Sequence, residues 1–347
     1  MADLRIRLGS LTLTNPVLAA AGTLGYGLEF STAVKLERLG ALITKTLTFR
    51  PREGNPPPRL VETPAGMLNA VGLQNVGLEA FLSEKLPGLL ALRVPLIVSV
   101  LAEAGEELAL MVQRLEQANG VAAIELNLSC PNLRHRSGLW AESSDTIGSG
   151  LRVPGSESLS VNPHLEPPAP TEPRAQSPQP VAMVAHDSGA TAAMVQVARQ
   201  HTRKALIAKL SPDVTDVRPI AQAAERAGAD ALAIGNTFVG MSLDPHTRRS
   251  RLGTMTGGLS GPAIRPLAVY RVWYTAKIVR IPVIGIGGIL RAADAIEFFL
   301  AGASAIAVGT AHFTDPAAGL RVVRGLERYL TRHGLRSLEE LRGAINR

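Results

Sequence analysis

The chain has 347 residues, 46% of them apolar and only 4% aromatic, so a large core must be built from aliphatic side chains, alanine and glycine. A single cysteine excludes an intramolecular disulfide framework, argues against a thiolate zinc site and fits a reducing cytoplasmic setting. The formal charge of +7 is spread over scattered Lys and Arg residues without interleaved aromatics, which favours attraction of small anions over nucleic-acid binding.

At the N-terminus, "MADLRIRLGSLTLTNP" alternates apolar and polar residues about Gly9-Ser10. This predicts a β-hairpin; a signal peptide would need a continuous apolar run. No uninterrupted apolar stretch is long enough to span a bilayer, because Arg93, Pro95 and Glu103 break the best candidate. Eight nearly continuous apolar segments follow, at 16–20, 41–46, 95–100, 122–128, 205–210, 230–236, 281–286 and 304–310. Such runs suit strands covered on both faces. Helical patterns lie between them. Leu108, Met111, Val112 and Leu115 recur at helical spacing in a segment that stops at Asn119-Gly120, while 214–230 and 291–304 each end on glycine before the next strand. Eight β/α alternations predict an α/β fold, a closed (β/α)8 TIM barrel, as one domain over residues 1–347. No G-x-G-x-x-G follows the first strand, which weighs against a doubly wound dinucleotide fold.

Residues 138–180 break the rhythm. They hold eight prolines and seven serines, carry a net −3 and lack apolar periodicity. Such a segment cannot bury enough surface to offset its ordering entropy, so it is expected to be a disordered insertion after strand 4. A solvated linker is favoured over a structured lid, with Trp140 as the one docking candidate.

In a TIM barrel, chemistry collects at the C-terminal ends of the strands. Here those ends bring Ala21, Lys45-Thr46, Ser99, Asn127 with Cys130, Lys209, Asn236-Thr237, Gly287-Gly288 and Gly309-Thr310 toward one mouth. A lone strand-end lysine usually just snorkels to solvent, but the joint recurrence is harder to dismiss. "IGIGGI" and "AVGTA" end in glycine-rich turns before helices, the arrangement that holds a phosphate after strands 7 and 8 of many barrels. Lys45 and Lys209 suit stabilisation of an anion developing on a bound ring, such as a reduced flavin. Asn69, Asn127, Asn132 and Asn236 could read a planar, amide-rich substrate, although Asn also favours turns for backbone reasons. A lone cysteine is most often inert and buried. Cys130, however, lies past a strand end between Ser129 and Pro131-Asn132, with no His–Asp pair at a recognisable spacing for acyl transfer. A thiol of ordinary pKa, about 8.5, suits proton abstraction beside a carbonyl.

The segments "NPVLAAAGTLGYG", "KTLTFRPREGNPPPRLVETPAGMLNAVGLQNVGL", "ELNLSCPN", "AKLSPDVTD", "GNT", "TGGLSGPAIRP", "IPVIGIGGI" and "GASAIAVGTA", in this order, resemble the class 1 dihydroorotate dehydrogenase family. The "LSGPA" form and the lack of an N-terminal membrane helix are most similar to the class 1B catalytic subunit. The likeness spans about residues 4–335 and fails across about 138–180. It implies a (β/α)8 barrel that holds one FMN per chain and oxidises dihydroorotate to orotate in pyrimidine (UMP) biosynthesis. Cys130 would be the base that takes the C5 proton while hydride passes from C6 to flavin N5. Substrate would be held by Lys45, Asn69, Ala70, Val71, Gly72, Leu73, Asn127, Asn132, Asn236 and Thr237. FMN would be lined by Ala21, Lys45, Thr46, Ser99, Asn127, Lys209, Gly235, Gly261, Gly287, Gly288, Gly309 and Thr310.

The resemblance further implies a homodimer, or a heterotetramer with a partner subunit that carries FAD and a 2Fe-2S cluster and passes electrons to NAD+. Fumarate or another oxidant would serve a class 1A-like enzyme. This chain has no cysteine cluster for a metal centre of its own. It departs from the family at Ala21, where Ser is common, at Ser99, where Asn is usual, and at Gly235, where a larger aliphatic is usual. The first two changes would weaken flavin hydrogen bonds, and Gly235 would leave more room near the ring. Two alternatives remain open. A dihydropyrimidine (dihydrouracil) dehydrogenase would have a similar cysteine loop, but with His where Asn132 stands. A non-catalytic phosphate-binding barrel would not need Cys130, both lysines and both glycine turns together.

Overall fold

In a computed structural model of the chain, residues 2–129 and 184–346 are described; Cys130, Asn132 and the 138–180 segment lie outside them. The N-terminal hairpin pairs Ile6–Leu8 with Leu11–Leu13. Gly9 turns it at φ +58°, and a Cβ there would fall 2.6 Å from Cβ of Asp230, so both conformation and space require glycine. Leu8 and Leu13 are buried and pack with the inward-facing barrel side chains, closing that layer from below.

The eight expected strands all form. They are β1 (Val17–Ala19), β2 (Ala41–Ile43), β3 (Leu96–Val100), β4 (Val121–Asn127), β5 (Ala205–Leu210), β6 (Ala231–Ile234), β7 (Val283–Ile286) and β8 (Ala305–Val308). Each pairs in parallel with the next, and β8 returns to β1, so no sheet edge is left among them. Period-two alternation divides their side chains. Leu18, Ile43, Ile97, Ile207 and Ile284 point inward with seven alanines, whereas Val17, Leu42, Val98, Leu206 and Leu232 face the helices. Small inward residues fill the narrow interior, and so an aromatic-poor composition serves this fold.

Helices Gly105–Gln117, Ser188–His201, Arg218–Arg226, Arg265–Ala276, Ala292–Leu300 and Ala318–Arg332 cover the barrel. The first buries Leu108, Met111, Val112 and Leu115, the stripe expected from their spacing. Close packing is visible at Gly285 of β7, where a Cβ would sit 2.4 Å from the ring of Phe298. No helix among the described residues is long and apolar enough to cross a membrane.

One element was not legible in the sequence. Phe238–Gly240, Gly257–Ser260, Gly66–Asn69 and Leu60–Thr63 form, in that order, a four-stranded antiparallel sheet built from the excursions after β2 and β6. Its strands are three or four residues long, and its central pair joins positions some 190 residues apart (Asn69 opposite Gly258). Local periodicity cannot report such a pairing.

Candidate active site

The C-terminal ends of the barrel strands and the antiparallel sheet enclose a cleft with about 1090 Å³ of unfilled space, counting its open mouth. Of the expected residues, Ala21, Lys45, Thr46, Asn69, Val71, Gly72, Leu73, Asn127, Lys209, Asn236, Thr237, Gly261, Gly287, Gly288, Gly309 and Thr310 line it. The inward-facing Lys209 is buried, at 6% exposure. Lys45 crosses the β1 turn, since a Cβ on Gly22 would meet its Cδ at 3.0 Å and its Nζ at 3.4 Å. Both cations therefore face one space.

Asn69 and the 71–73 turn form another part of the lining. Asn69 donates its side-chain amide to the Gly258 carbonyl at 3.2 Å, which ties the two excursions together. Gly72 and Leu73 both adopt left-handed backbone, at φ +72° and +57°. For leucine this conformation costs on the order of 1 kcal/mol, a strain typical of ligand-facing turns.

The glycine turns form a tight cradle. Gly261, Gly287 and Gly288 have φ of +94°, +136° and +69°. A Cβ on Gly288 would strike Cβ of Arg265 at 2.6 Å and the Gly261 carbonyl oxygen at 2.9 Å, while one on Gly261 would lie 2.6 Å from Cα of Gly66. Asp294 fixes the β7 turn: its Oδ2 accepts from the backbone N–H groups of Leu290 at 2.9 Å and Arg291 at 3.0 Å, and its Oδ1 accepts from Arg265. The cleft residues fit FMN: two glycine turns that bring backbone to a phosphate, and buried Lys209 and Asn127 for a polar ring edge.

Three expected residues do not line the cleft. Ala70 is fully buried beneath the antiparallel sheet, with Leu68 and Leu252. Gly235 does not enlarge the ring space, because a Cβ there would come within 2.2 Å of the Ile286 carbonyl oxygen; the glycine lets the end of β6 lie against β7. Ser99 is fully buried one layer below the cleft floor, where its hydroxyl donates to Oε1 of Glu125 at 2.9 Å and lies 3.0 Å from the hydroxyl of Thr46. It would thus touch a cofactor only through Thr46. Cys130 and Asn132 lie outside the described residues, but the chain is pinned just before them. Asn236 donates its side-chain amide to the Ser129 carbonyl at 3.0 Å and to the Ser129 hydroxyl at 2.7 Å.

Sequence reasoning missed the contributions of Thr23, Leu60, Met67, Ser260 and Phe313 to the lining. It also missed His312, which stands in the short helix Ala311–Thr314 just past β8. His312 is 2% exposed, its Nδ1 lies 3.2 Å from the Thr23 hydroxyl, and its buried Nε2 has no partner. Since the Thr23 hydroxyl donates to the Ala20 carbonyl at 2.9 Å, Nδ1 must carry the proton and donate to it. Burial pushes the imidazole down from 6.5 to about 4, so it is neutral.

Comparison with known proteins agrees with this geometry. The family model described as dihydroorotate dehydrogenase matches residues 3–145 and 177–330. Among curated relatives, the catalytic subunit of dihydroorotate dehydrogenase B (NAD(+)) from Desulforudis audaxviator is 46% identical over 342 residues, covering 99% of this chain and 97% of the relative. Its counterparts from Trichlorobacter lovleyi and Geotalea uraniireducens are each 44% identical, covering 98% and 99% of this chain and 97% and 98% of theirs. With a family match over most of its length and relatives aligned nearly end to end, the chain belongs to the dihydroorotate dehydrogenase family.

Proposed function

We propose that this chain is a class 1B catalytic subunit that carries out the FMN-dependent oxidation of dihydroorotate to orotate. The observation that carries the reading is the convergence of Lys45, Lys209, Asn69, Asn127 and Asn236 with the Gly287-Gly288 and Gly309-Thr310 turns on one cleft. Bound FMN supplies the two-electron acceptor for the hydride that leaves substrate C6.

The protein's own residues do the rest. The turns at Gly261, Gly287-Gly288 and Gly309-Thr310 hold the phosphate end. Lys209 would hold the ring's polar edge, where a cation favours developing negative charge, and Lys45 would serve both the ring and the substrate. Asn69, Asn127, Asn132 and Asn236, with Thr237 and the 71–73 turn, orient the substrate's carbonyl and amide groups. The Cys130 thiolate takes the C5 proton, and the Asn236–Ser129 bonds hold the residue that precedes it.

One cysteine in the chain cannot hold a 2Fe-2S cluster, which needs four ligands, so any such cluster lies on a partner subunit; the relatives' description as catalytic subunits of an NAD(+) enzyme supports a partner that carries it with FAD and reduces NAD+. Two catalytic chains form the central dimer of the resulting heterotetramer. The test is anaerobic stopped-flow reduction of the purified flavoprotein with dihydroorotate and, separately, dihydrouracil. Rapid bleaching by dihydroorotate alone is expected, with NAD+ restoring the colour only after the iron–sulfur partner is added. Equal bleaching by dihydrouracil, or none by dihydroorotate, would overturn the reading.

A further inference from the structure

A buried chain of hydrogen bonds runs beneath the cleft floor and has an unusual end. Glu125, on β4, points into the barrel and is fully buried. Its Oε1 accepts from the Ser99 hydroxyl at 2.9 Å, while its Oε2 is buried without a partner. Burying a carboxylate in this way costs stability, and aliphatic residues could fill the position more favourably. Packing therefore does not account for it. Lys209 stands two residues beyond Ile207, which is aligned with Glu125 across the β4–β5 ladder. Lys209 is thus based about one pleat repeat, roughly 7 Å, from the carboxyl's strand position.

Proton counting fixes the direction of the chain. Oε1 of Glu125 accepts from Ser99, so Ser99 spends its one hydroxyl proton there. At the 3.0 Å contact between Thr46 and Ser99, Thr46 must then be the donor. With its own proton committed, Thr46 can only accept, and it accepts from Nδ2 of Asn127 at 3.0 Å. Oδ1 of Asn127 consequently turns the other way, toward the Ser129 hydroxyl, which donates to it at 3.3 Å. The far end is compatible with this polarity but does not impose it. The backbone N–H of Thr237 can only donate, and it holds Oδ1 of Asn236 at 2.8 Å. Nδ2 of Asn236 is therefore aimed at Ser129, to which it donates at 2.7 Å. The Ser129 oxygen has a second lone pair that could equally accept from Asn127, so the Glu125 end decides between the two orientations; Nδ2 of Asn127 has a second N–H beyond the one given to Thr46, and Asn127 lines the cleft.

We infer that Glu125 is a positioning residue: acting through Ser99 and Thr46, it fixes the amide of Asn127 so that an N–H, not a carbonyl, faces the ligand. The ligand atom opposite Asn127 is then an acceptor, either a carbonyl or carboxylate oxygen or a deprotonated ring nitrogen. This rests on the functional reading above.

The test is equilibrium binding of orotate, followed by its perturbation of the flavin absorption spectrum, with thermal melting as the fold control. Glu125→Met removes the acceptor while keeping similar length, which lets the relay reverse; orotate Kd is expected to rise about tenfold, the loss of one well-placed hydrogen bond. Glu125→Gln retains a carbonyl for Ser99 and should stay within about threefold of the native Kd. Ser99→Ala cuts the same chain one link later and should match Glu125→Met, and the double variant should be no weaker than either single one. Native Kd in Glu125→Met or Ser99→Ala overturns the inference, as does Glu125→Gln binding as weakly as Glu125→Met. If Glu125→Met does not fold, Ser99→Ala alone decides. Failure of the native protein to respond to orotate would instead sink the functional reading.

Discussion

Cys130 and His312 mark two ways in which a single side chain can matter. For Cys130 the argument is chemical, because a thiol near its ordinary pKa is a competent base for a carbon acid, and positioned acid–base groups contribute about 10²–10⁴-fold. Cys130→Ala is expected to keep its flavin yet be reduced by dihydroorotate slower by about that factor, as read by anaerobic stopped flow; native rates would refute the assignment. For His312 the argument is linkage. Burial holds its pKa at about 4, below the 6.5 of an exposed imidazole, so between these values the unfolded chain binds more protons than the folded one. The stabilisation is complete above pH 6.5 and is lost as pH falls toward 4, by up to about 3 kcal/mol at 1.36 kcal/mol per pH unit. Melting temperature should rise with pH through this window, from about 4 to 6.5, and His312→Asn, which keeps a donor for Thr23 but does not titrate, should flatten the slope. An unchanged slope in that variant would show that other groups set the acid limit.

At the scale of elements, the β7 turn couples fold to site. Gly288 has a left-handed backbone and sits where a Cβ would strike Arg265 and the Gly261 carbonyl, so the turn, the "SGPAI" loop and the helix capped by Asp294 must move together. Gly288→Ala is expected to weaken FMN retention on dilution, read by flavin fluorescence, by about tenfold or more. Its cost in stability is about 1–3 kcal/mol, from backbone strain. A variant that holds FMN as tightly as the native protein would show that the cradle is not where the phosphate binds. The Gly287-Gly288 turn was legible in the sequence because positive φ is a local demand for glycine, whereas its close contacts with Arg265 and Gly261 come from tertiary packing. The antiparallel sheet was not: Asn69 meets Gly258 only after the barrel has carried the excursions from β2 and β6 to the same side.

Across the whole molecule, the family match passes over residues 146–176, so the family pattern does not require that stretch. Deletion of residues 140–180 is expected to leave the melting temperature within about 2 °C, a change of about 1 kcal/mol for a chain of this size. A collapse in the melt would show that the segment packs. The order of the eight strands, the aliphatic core, the inward lysines and the glycine turns followed from sequence alone, because strand burial, side-chain alternation and positive φ are decided within a few residues. Ser99 and Gly235 show where that reach ends. Both sit at strand ends that read as cofactor contacts, yet one lies beneath the floor on Glu125 and the other lets two strands meet. The hydrogen-bond partners of Glu125 and His312 depend on atoms brought together by barrel closure across 26 and 289 residues of chain. Closure is a long-range event driven by total apolar burial, and only the tertiary structure reveals which polar groups it leaves facing one another.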